Sequence, residues 1–201
     1  TAEVEALMKQ VDAVCREHGA SEIRLAQSDE ERAVVWKGRK AAFAAMGRIA
    51  SNYIVQDGVI PRSALPEVMT EIAKMSRETG LRVANVFHAG DGNLHPLVLY
   101  DRKIPGQEKR AEHLAERILE LCIAKGGSIT GEHGVGEEKK HMMPKMFAEP
   151  DLETMQRVRC AFDPLHLSNP TKVFPRPRMC GDTPGVYEPH PLESAGKAER
   201  F

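Results

Sequence analysis

Apolar residues recur at intervals of three and four along several stretches of the chain, which is the spacing of amphipathic helices. The first stretch has apolar positions from Val4 to Cys15 and ends at Gly19, a residue that favours helix termination. A second helix is predicted after Ser28, because Ser28-Asp29-Glu30-Glu31 matches a capping box. The predicted helices are Ala2–Gly19, the segment that begins at Ser28, Ser63–Thr79, Gln107–Lys125, Glu137–Phe147 with a disturbance at Pro144, and Asp151–Cys160.

Alternating and β-branched residues predict strands between these helices, in SEIRLAQ (21–27), YIVQDGVIP (53–61) and SIT (128–130). The segments LRVANVF and NLHPLVLYD are expected to form a hairpin, because Asp91-Gly92 between them favours a two-residue type I′ loop. That register places His88 directly opposite His95, with Cβ atoms roughly 5 Å apart on one face of the sheet. It also pairs Val86 with Leu97 and Ala84 with Leu99, which makes an apolar ladder beside the histidines. Pro96 cannot donate a backbone hydrogen bond, so the second strand is expected to be an edge strand there or locally irregular.

Helices mixed with a direct hairpin, without strict βαβ alternation, predict an α+β fold in which helices back an antiparallel sheet. The expected domain covers residues 1–174. Residues 175–201 are rich in proline and are predicted to form an extended tail. The opening residues lack an initiating Met and start with helical character, which is typical of a truncated or processed chain.

Composition excludes several classes of protein. The 201 residues are 41% hydrophobic and 28% charged, with a formal net charge of −1, which provides no electrostatic basis for binding nucleic acid. No apolar run approaches the roughly 20 residues of a spanning helix, and the first residues given lack the basic and apolar regions of a secretory signal. The four cysteines are scattered without a CxxC pair, so a reducing, cytoplasmic location is expected. The basic pair Lys139-Lys140 is interpreted as part of a solvated helix face.

A second chemically suggestive sequence, GEHGVG, follows the SIT segment and carries Glu132 and His133 among glycines. With His88 and His95, Glu132 would form a His₂-carboxylate set, an arrangement common in catalytic sites for zinc and other divalent metals. The adjacent His133 could then act as a general base near neutral pH. Two simpler interpretations stay open. The histidines could be hydrogen-bonded core residues, or Asp91 and Asn93 could merely cap the turn.

Five motifs in order give the chain a specific resemblance to a known family. Over roughly Ser21 to Pro175, it resembles the C-terminal domain of FAD-linked oxidases, and it is most similar to the FAD-binding subunit of bacterial glycolate oxidases and to the D-lactate dehydrogenase family. The motifs are WKGRKAAFAAMGRI, DGVIPR, HAGDGNLHP, GGSITGEHGVG and FDPLHLSNPTKVFP.

The resemblance implies a substrate-side cap domain, with most FAD contacts made by an N-terminal domain that this chain does not contain. It implies that His88, His95 and Glu132 bind a divalent metal, with zinc as the expected ion, and that His133 is the catalytic base. Arg39 matches an arginine that binds the substrate carboxylate, a task suited to its bidentate guanidinium group. Other positions that match the family are Asn169 and Lys172, which belong to a motif near the flavin.

Two positions depart from the family pattern. Leu97 stands where the 2-hydroxyglutarate enzymes carry a polar substrate-binding residue, which favours a smaller substrate such as glycolate or lactate. Thr171 replaces a glycine in the C-terminal motif, which puts the local backbone conformation in question, since threonine tolerates a positive φ poorly.

The leading hypothesis is therefore that the chain is part of an FAD-dependent 2-hydroxy acid dehydrogenase, which oxidises a 2-hydroxy acid to a 2-oxo acid. Other oxidase subunits or an electron acceptor are its possible partners. The isolated chain, without the flavin domain, is expected to be inactive. A metal-dependent hydrolase and a non-catalytic assembly domain are the alternative hypotheses. The absence of an HExxH helix weighs against the hydrolase.

Overall fold

A computed structural model describes residues 2–175, and these divide into two compact units at the boundary between Ala45 and Met46. The first unit contains α1 (Ala2–Glu17) and α2 (Asp29–Ala45), close to the predicted bounds. The backbone amide of Glu31 donates to the Ser28 hydroxyl (3.2 Å), as a capping residue requires. The predicted Pro-rich tail lies outside the described residues from position 176 onward.

The prediction of a strand over 21–27 is wrong. This segment connects α1 to α2 and has no strand partner among the described residues. Six of its seven residues are exposed, and Leu25 is 52% exposed. Strand preference is chiefly a preference for packing on a pleated surface, so the same residues form a loop when that surface is missing.

The second unit is an antiparallel sheet backed by helices, and the predicted α+β class is confirmed. Each predicted helix is present in some form, although the fifth is reduced to a short turn of helix. The elements are β1 (Asn52–Val55), β2 (Gly58–Val59), α3 (Leu65–Thr79), β3 (Val83–His88), β4 (Asn93–Tyr100), α4 (Gln107–Ala124), α5 (Met143–Met146) and α6 (Glu149–Phe162).

The central strand of the sheet is β4, which pairs with β3 on one side and with β1 and β2 on the other. Of the two expectations for β4 at Pro96, the edge strand is wrong, and the local irregularity is observed. Pro96 is tolerated because β1 ends at Val55 and β2 starts only at Gly58, so the neighbouring strand is interrupted where Pro96 lacks an N–H. The Pro96 carbonyl accepts the amide of Gln56 (3.0 Å) inside this interruption.

Two amphipathic helices, α3 and α4, pack on one face of the sheet. Leu94, Val98 and Tyr100 of β4 point to this face and join the buried side of α3 in the main core. On α4 the buried positions repeat every three or four residues, as the sequence pattern predicts. They are Ala111, Leu114, Ala115, Ile118, Leu119 and Cys122. The opposite face of β4 carries Asn93, His95, Leu97 and Leu99.

Two predictions after α4 need correction. Residues 128–130 do not form a strand, because only Ser128 makes a β-bridge, to Val59. The predicted helix 137–147 is limited to a 3-10 turn at Lys140–Met142 followed by α5, because Pro144 lies in the first turn of α5 and cannot continue an earlier helix. No helix among the described residues combines the length and apolarity that a membrane span requires.

Candidate metal centre

The two histidines of the hairpin lie close together, although not in the predicted register. His88 pairs with Asn93 and Val86 pairs with His95, so the hairpin has a four-residue loop, and the directly opposed pair His88–His95 is wrong. The type I′ turn is absent because only Gly92, at φ +72°, adopts a positive φ in the Asp-Gly dipeptide. The two histidines are instead diagonal neighbours on the same face, with ring centroids 5.5 Å apart.

Glu132 and His133 complete a cluster with the hairpin histidines. Glu132 Oε1 lies 3.0 Å from His95 Nε2 and 3.8 Å from His88 Nε2. His133 Nε2 is 3.7 Å from the same oxygen, and its ring stacks on His95 with centroids 4.9 Å apart. His95 is buried, whereas the side chains of the other three residues are about half exposed. The cluster is therefore anchored on one side and accessible on the other.

The loop that carries Glu132 and His133 is held by a carboxylate that the sequence analysis did not assign. Asp57 is fully buried, and its Oδ2 accepts hydrogen bonds from the Thr130 hydroxyl (2.7 Å) and from three successive backbone amides. Those amides belong to Gly131 (2.9 Å), Glu132 (3.0 Å) and His133 (2.8 Å). Burial alone raises the pKa of Asp57, but these hydrogen bonds outweigh it and lower the pKa to about 2.

The available signal for Asp57 was its place in DGVIPR, where a charged residue and a glycine interrupt a run of β-branched residues. A carboxylate in such a run must either face water or meet several donors. The sequence does not indicate which donors these are.

Lys139 is buried, and its interpretation as part of a solvated face is wrong. Its ammonium group donates to the Ile129 carbonyl (3.0 Å) and lies 3.9 Å from Asp57 Oδ2. Burial lowers the pKa of Lys139, and the negative charge of Asp57 partly opposes that effect. Its charge is tolerated in the interior because it faces an acceptor and an opposite charge.

The donor atoms of His88, His95 and Glu132 fit a divalent metal. One atom from each of the three residues lies within 4.8 Å of the others. Ligands about 2.1 Å from a tetrahedral ion lie roughly 3.4 Å apart, and the two measured nitrogen–oxygen separations, 3.0 and 3.8 Å, fall on either side of this value. Two imidazoles and a carboxylate also form a donor set common for zinc.

A second set, Asp57, His95 and His133, meets the same 4.8 Å criterion. Asp57 is less suited to bind an ion, because it is fully buried and its Oδ2 already accepts four hydrogen bonds. His95 Nδ1 lies 3.3 Å from the Gln56 carbonyl and 3.9 Å from Asp57 Oδ1. A proton on Nδ1 would donate to that carbonyl and leave Nε2 as the ligand atom, the usual arrangement for metal-binding histidines.

The other predicted site residues occupy separate parts of the chain. Arg39 lies on α2 in the first unit. Lys172 Nζ lies 3.1 Å from Glu137 Oε2, and the Asn169 carbonyl accepts a hydrogen bond from Arg159 (3.0 Å). Thr171 has φ +69°, so the backbone there is left-handed despite the β-branched side chain.

The segment 169–173 is tied to the glycine-rich loop by a backbone hydrogen bond. The amide of Val173 donates to the carbonyl of Gly136 (2.9 Å), four residues after Glu132. The C-terminal motif is thus attached to the end of the loop that carries two of the cluster residues, while the roles of Asn169 and Lys172 stay predictions.

Comparison with known proteins identifies the family. The family model described as the C-terminal domain of FAD linked oxidases matches residues 1–173. The chain is 47% identical to the glycolate oxidase subunit GlcD of Escherichia coli K12 over 96% of its own length and 39% of that protein. It is 33% identical to the Bacillus subtilis GlcD subunit over 85% of the chain and 36% of that protein.

A more distant relative is the mitochondrial D-lactate dehydrogenase [cytochrome] of Arabidopsis thaliana, 31% identical over 85% of the chain and 30% of that protein. The chain thus spans between 30% and 39% of the length of these relatives. The match to the family model nevertheless covers nearly the whole of the described structure, and the resemblance seen in the sequence is confirmed. The chain belongs to the family of C-terminal domains of FAD-linked oxidases.

Proposed function

We propose that this chain is the substrate-side domain of an FAD-dependent 2-hydroxy acid dehydrogenase of the glycolate or D-lactate type. The observation that carries the proposal is the cluster of His88, His95, Glu132 and His133, because it combines a ligand set with an adjacent imidazole. The names of the relatives, glycolate oxidase subunit and D-lactate dehydrogenase, support the class of substrate.

In this proposal His88, His95 and Glu132 hold a divalent ion, with zinc as the expected metal. A bound ion would supply Lewis-acid polarisation of the substrate hydroxyl. FAD, held mainly by a domain outside this chain, would take up the Cα hydrogen with its electron pair. Asn169 and Lys172 are the proposed residues on the flavin side.

The remaining chemistry falls to two side chains. His133 accepts the hydroxyl proton at Nε2, since this imidazole lies beside the ligand set and is half exposed. Arg39 binds the substrate carboxylate through its guanidinium group. Replacement of His133 by Ala in the flavin-containing protein should reduce turnover by about 10²- to 10⁴-fold, and unchanged turnover would contradict the assignment of the base.

Metal binding is the most direct test. We expect the purified protein, after supplementation with Zn²⁺ and removal of excess ion, to retain one equivalent by elemental analysis. His88→Ala should weaken zinc binding by more than about 100-fold, because it removes a ligand from a half-exposed position and leaves the core unchanged. His113→Ala is the matched control, since His113 is exposed on α4 away from the sheet face that carries the cluster.

The outcomes of this test separate the candidate functions. Wild-type protein that retains no ion would contradict the proposal and favour a non-catalytic assembly domain. Metal-loaded protein that hydrolyses esters or peptides, but does not reduce FAD with a 2-hydroxy acid, would favour the hydrolase.

The preference for a small substrate rests on Leu97. This residue is fully buried on the same face as His95, two positions further along β4, where it offers no hydrogen bond to a second carboxylate. We expect glycolate and D-lactate to reduce the flavin faster than 2-hydroxyglutarate does. Equal rates would contradict the substrate assignment while leaving the metal site intact.

The relatives named as subunits support a proposed partnership with other oxidase subunits. The reducing, cytoplasmic location stays a prediction. Cys15 and Cys122 are free thiols, but Cys160 is disulfide-bonded, and disulfides are rare in reducing compartments. Co-purification of the intact protein with such subunits would test the partnership.

A further inference from the structure

We propose that Asp57, with Lys139 as its counter-ion, is the positioning residue of the candidate metal centre: it holds Glu132 and His133 in place from beneath and faces His95 from behind. This inference rests on the proposed function and adds to it a residue that contacts neither the substrate nor the ion. One buried carboxylate would then determine the placement of three of the four side chains in the cluster.

The first support is the way Asp57 Oδ2 binds the loop. Three consecutive amides, Gly131 to His133, converge on this one oxygen together with the Thr130 hydroxyl. Hydrogen bonds to an ionised acceptor are stronger than those between neutral groups. The side chains of Glu132 and His133 are about half exposed, so their backbone is held from the protein interior while the chemical groups face outward.

The second support is the other oxygen of the same carboxylate. Asp57 Oδ1 is buried and has no hydrogen-bond partner among the described residues, and it lies 3.9 Å from His95 Nδ1. A carboxylate behind a metal-binding imidazole fixes the ring and increases its basicity. This distance is short enough for the Asp57 charge to act on His95, while the Gln56 carbonyl, 3.3 Å from Nδ1, would accept a proton on that nitrogen.

The third support is Lys139, which binds the start of the same loop. Its ammonium group donates to the Ile129 carbonyl and lies 3.9 Å from Asp57 Oδ2. Both side chains are nearly excluded from water, at 6% and 0% exposure. A buried ion pair of this kind contributes little net stability, and its best-attested use is to impose one arrangement over its alternatives. The arrangement imposed here is the path of residues 129–133.

Hydrogen exchange in the metal-free intact protein tests the positioning directly. In wild type, the amides of Gly131, Glu132 and His133 should be protected, even though the side chains of Glu132 and His133 are about half exposed. Asp57→Ala should accelerate their exchange by at least about tenfold, because it removes their charged acceptor. Asp57→Asn should give a smaller acceleration, since an amide oxygen can replace the acceptor but not its charge.

Zinc titration of the same variants tests the link to the ligand set. Asp57→Asn should lower zinc affinity by about 10- to 100-fold, the effect expected when a partner behind the ligands is lost. The matched control is Asp101→Asn, whose carboxylate accepts a backbone amide and the Ser51 hydroxyl in a turn after β4. It should change neither loop exchange nor zinc affinity.

The outcomes are distinguishable. If Asp57→Asn melts at a lower temperature but, while folded, exchanges these amides and binds zinc like wild type, Asp57 is merely structural and the inference is overturned. If Asp57→Ala does not fold, the Asn variant decides the question. If wild type binds no ion, the proposed function fails. In that case the exchange data still decide whether Asp57 sets the path of the loop. If neither Asp57 variant exchanges the amides of residues 131–133 faster than wild type does, the inference is overturned too.

Discussion

The close approach of Gly131 to the sheet makes Gly131→Ala a sensitive perturbation of the candidate centre. A Cβ at this position would lie 2.8 Å from Val59 Cγ2 and 2.9 Å from both Cγ and Nδ2 of Asn93. Comfortable contacts between such atoms are about 3.5–4.0 Å. Asn93 is 8% exposed on the central strand, so it has little room to move, and the loop is the part expected to shift.

The expected cost follows from this overlap. Adding a methyl group to a well-packed site typically costs about 1–3 kcal/mol. For a chain of this size each kcal/mol lowers the melting temperature by about 2–4 °C, so a decrease of roughly 2–12 °C is expected. The shift also stretches the 2.9 Å hydrogen bond from the Gly131 amide to Asp57, so zinc affinity should decrease together with stability.

Thermal unfolding and zinc titration of Gly131→Ala and Gly90→Ala measure these effects. Gly90 is the matched control because its added Cβ would meet no atom within 4 Å and its φ is not positive. Gly90→Ala should therefore change the melting temperature by little and leave zinc affinity unchanged. Equal behaviour of the two variants would show that the close packing of the loop against Val59 and Asn93 does not position the centre.

Three further predictions concern buried groups. Burial raises the pKa of Cys122 to about 12, so native protein should be alkylated at Cys122 at least about 100-fold more slowly than at the half-buried Cys15, as mass spectrometry would show; equal rates would contradict the buried site. The pKa of Asp57 falls from 3.8 to about 2 on folding, so its ionised form contributes about 2 kcal/mol of stability above pH 4 that is lost as the pH falls toward 2. Urea unfolding of the metal-free protein should show a flatter pH dependence for Asp57→Asn in this range, and an identical slope would refute the effect. Leu114→Ala, at a fully buried position of α4, should cost about 2–5 kcal/mol, whereas Leu165→Ala, 72% exposed, should cost less than about 0.5 kcal/mol in the same assay.

The helices were the most predictable part of the fold, because their signals are local. In α4 the three-and-four spacing of apolar residues coincides with the buried face, and the helix ends at Ala124, one residue from the predicted end. The strands were less predictable. SIT (128–130) and SEIRLAQ (21–27) have suitable composition, yet neither belongs to the sheet, because a strand also requires a partner that the local sequence does not specify.

The predicted register of the hairpin was wrong, yet it placed His88 and His95 correctly on the same face of the sheet. The observed pairing differs from the predicted one by two residues, His88 with Asn93 instead of His95. Side chains alternate between faces with a period of two, so a shift of two residues keeps every side chain on its predicted face. A shift of one would have placed the two histidines on opposite faces. The prediction that His88 and His95 share a face therefore required only that the register be wrong by an even number of residues. The turn type affected only the distance between the two side chains.

The hydrogen bonds between Asp57 and the loop that carries Glu132 and His133 could not be predicted from the sequence, and the reason is physical. The donors that bind Asp57 Oδ2 are 73 to 76 residues away in sequence, and a backbone amide can come from any residue type except proline. Such an acceptor site therefore leaves no trace in the types of residue that supply it. What the sequence does show is a charge at Asp57 within the β-branched run 53–61, where burial would be costly without several donors. Lys139 gives no such signal, because its neighbours Glu138 and Lys140 are also charged. A buried charge without a local partner indicates that a distant segment must provide one, and here that segment is the loop that carries Glu132 and His133.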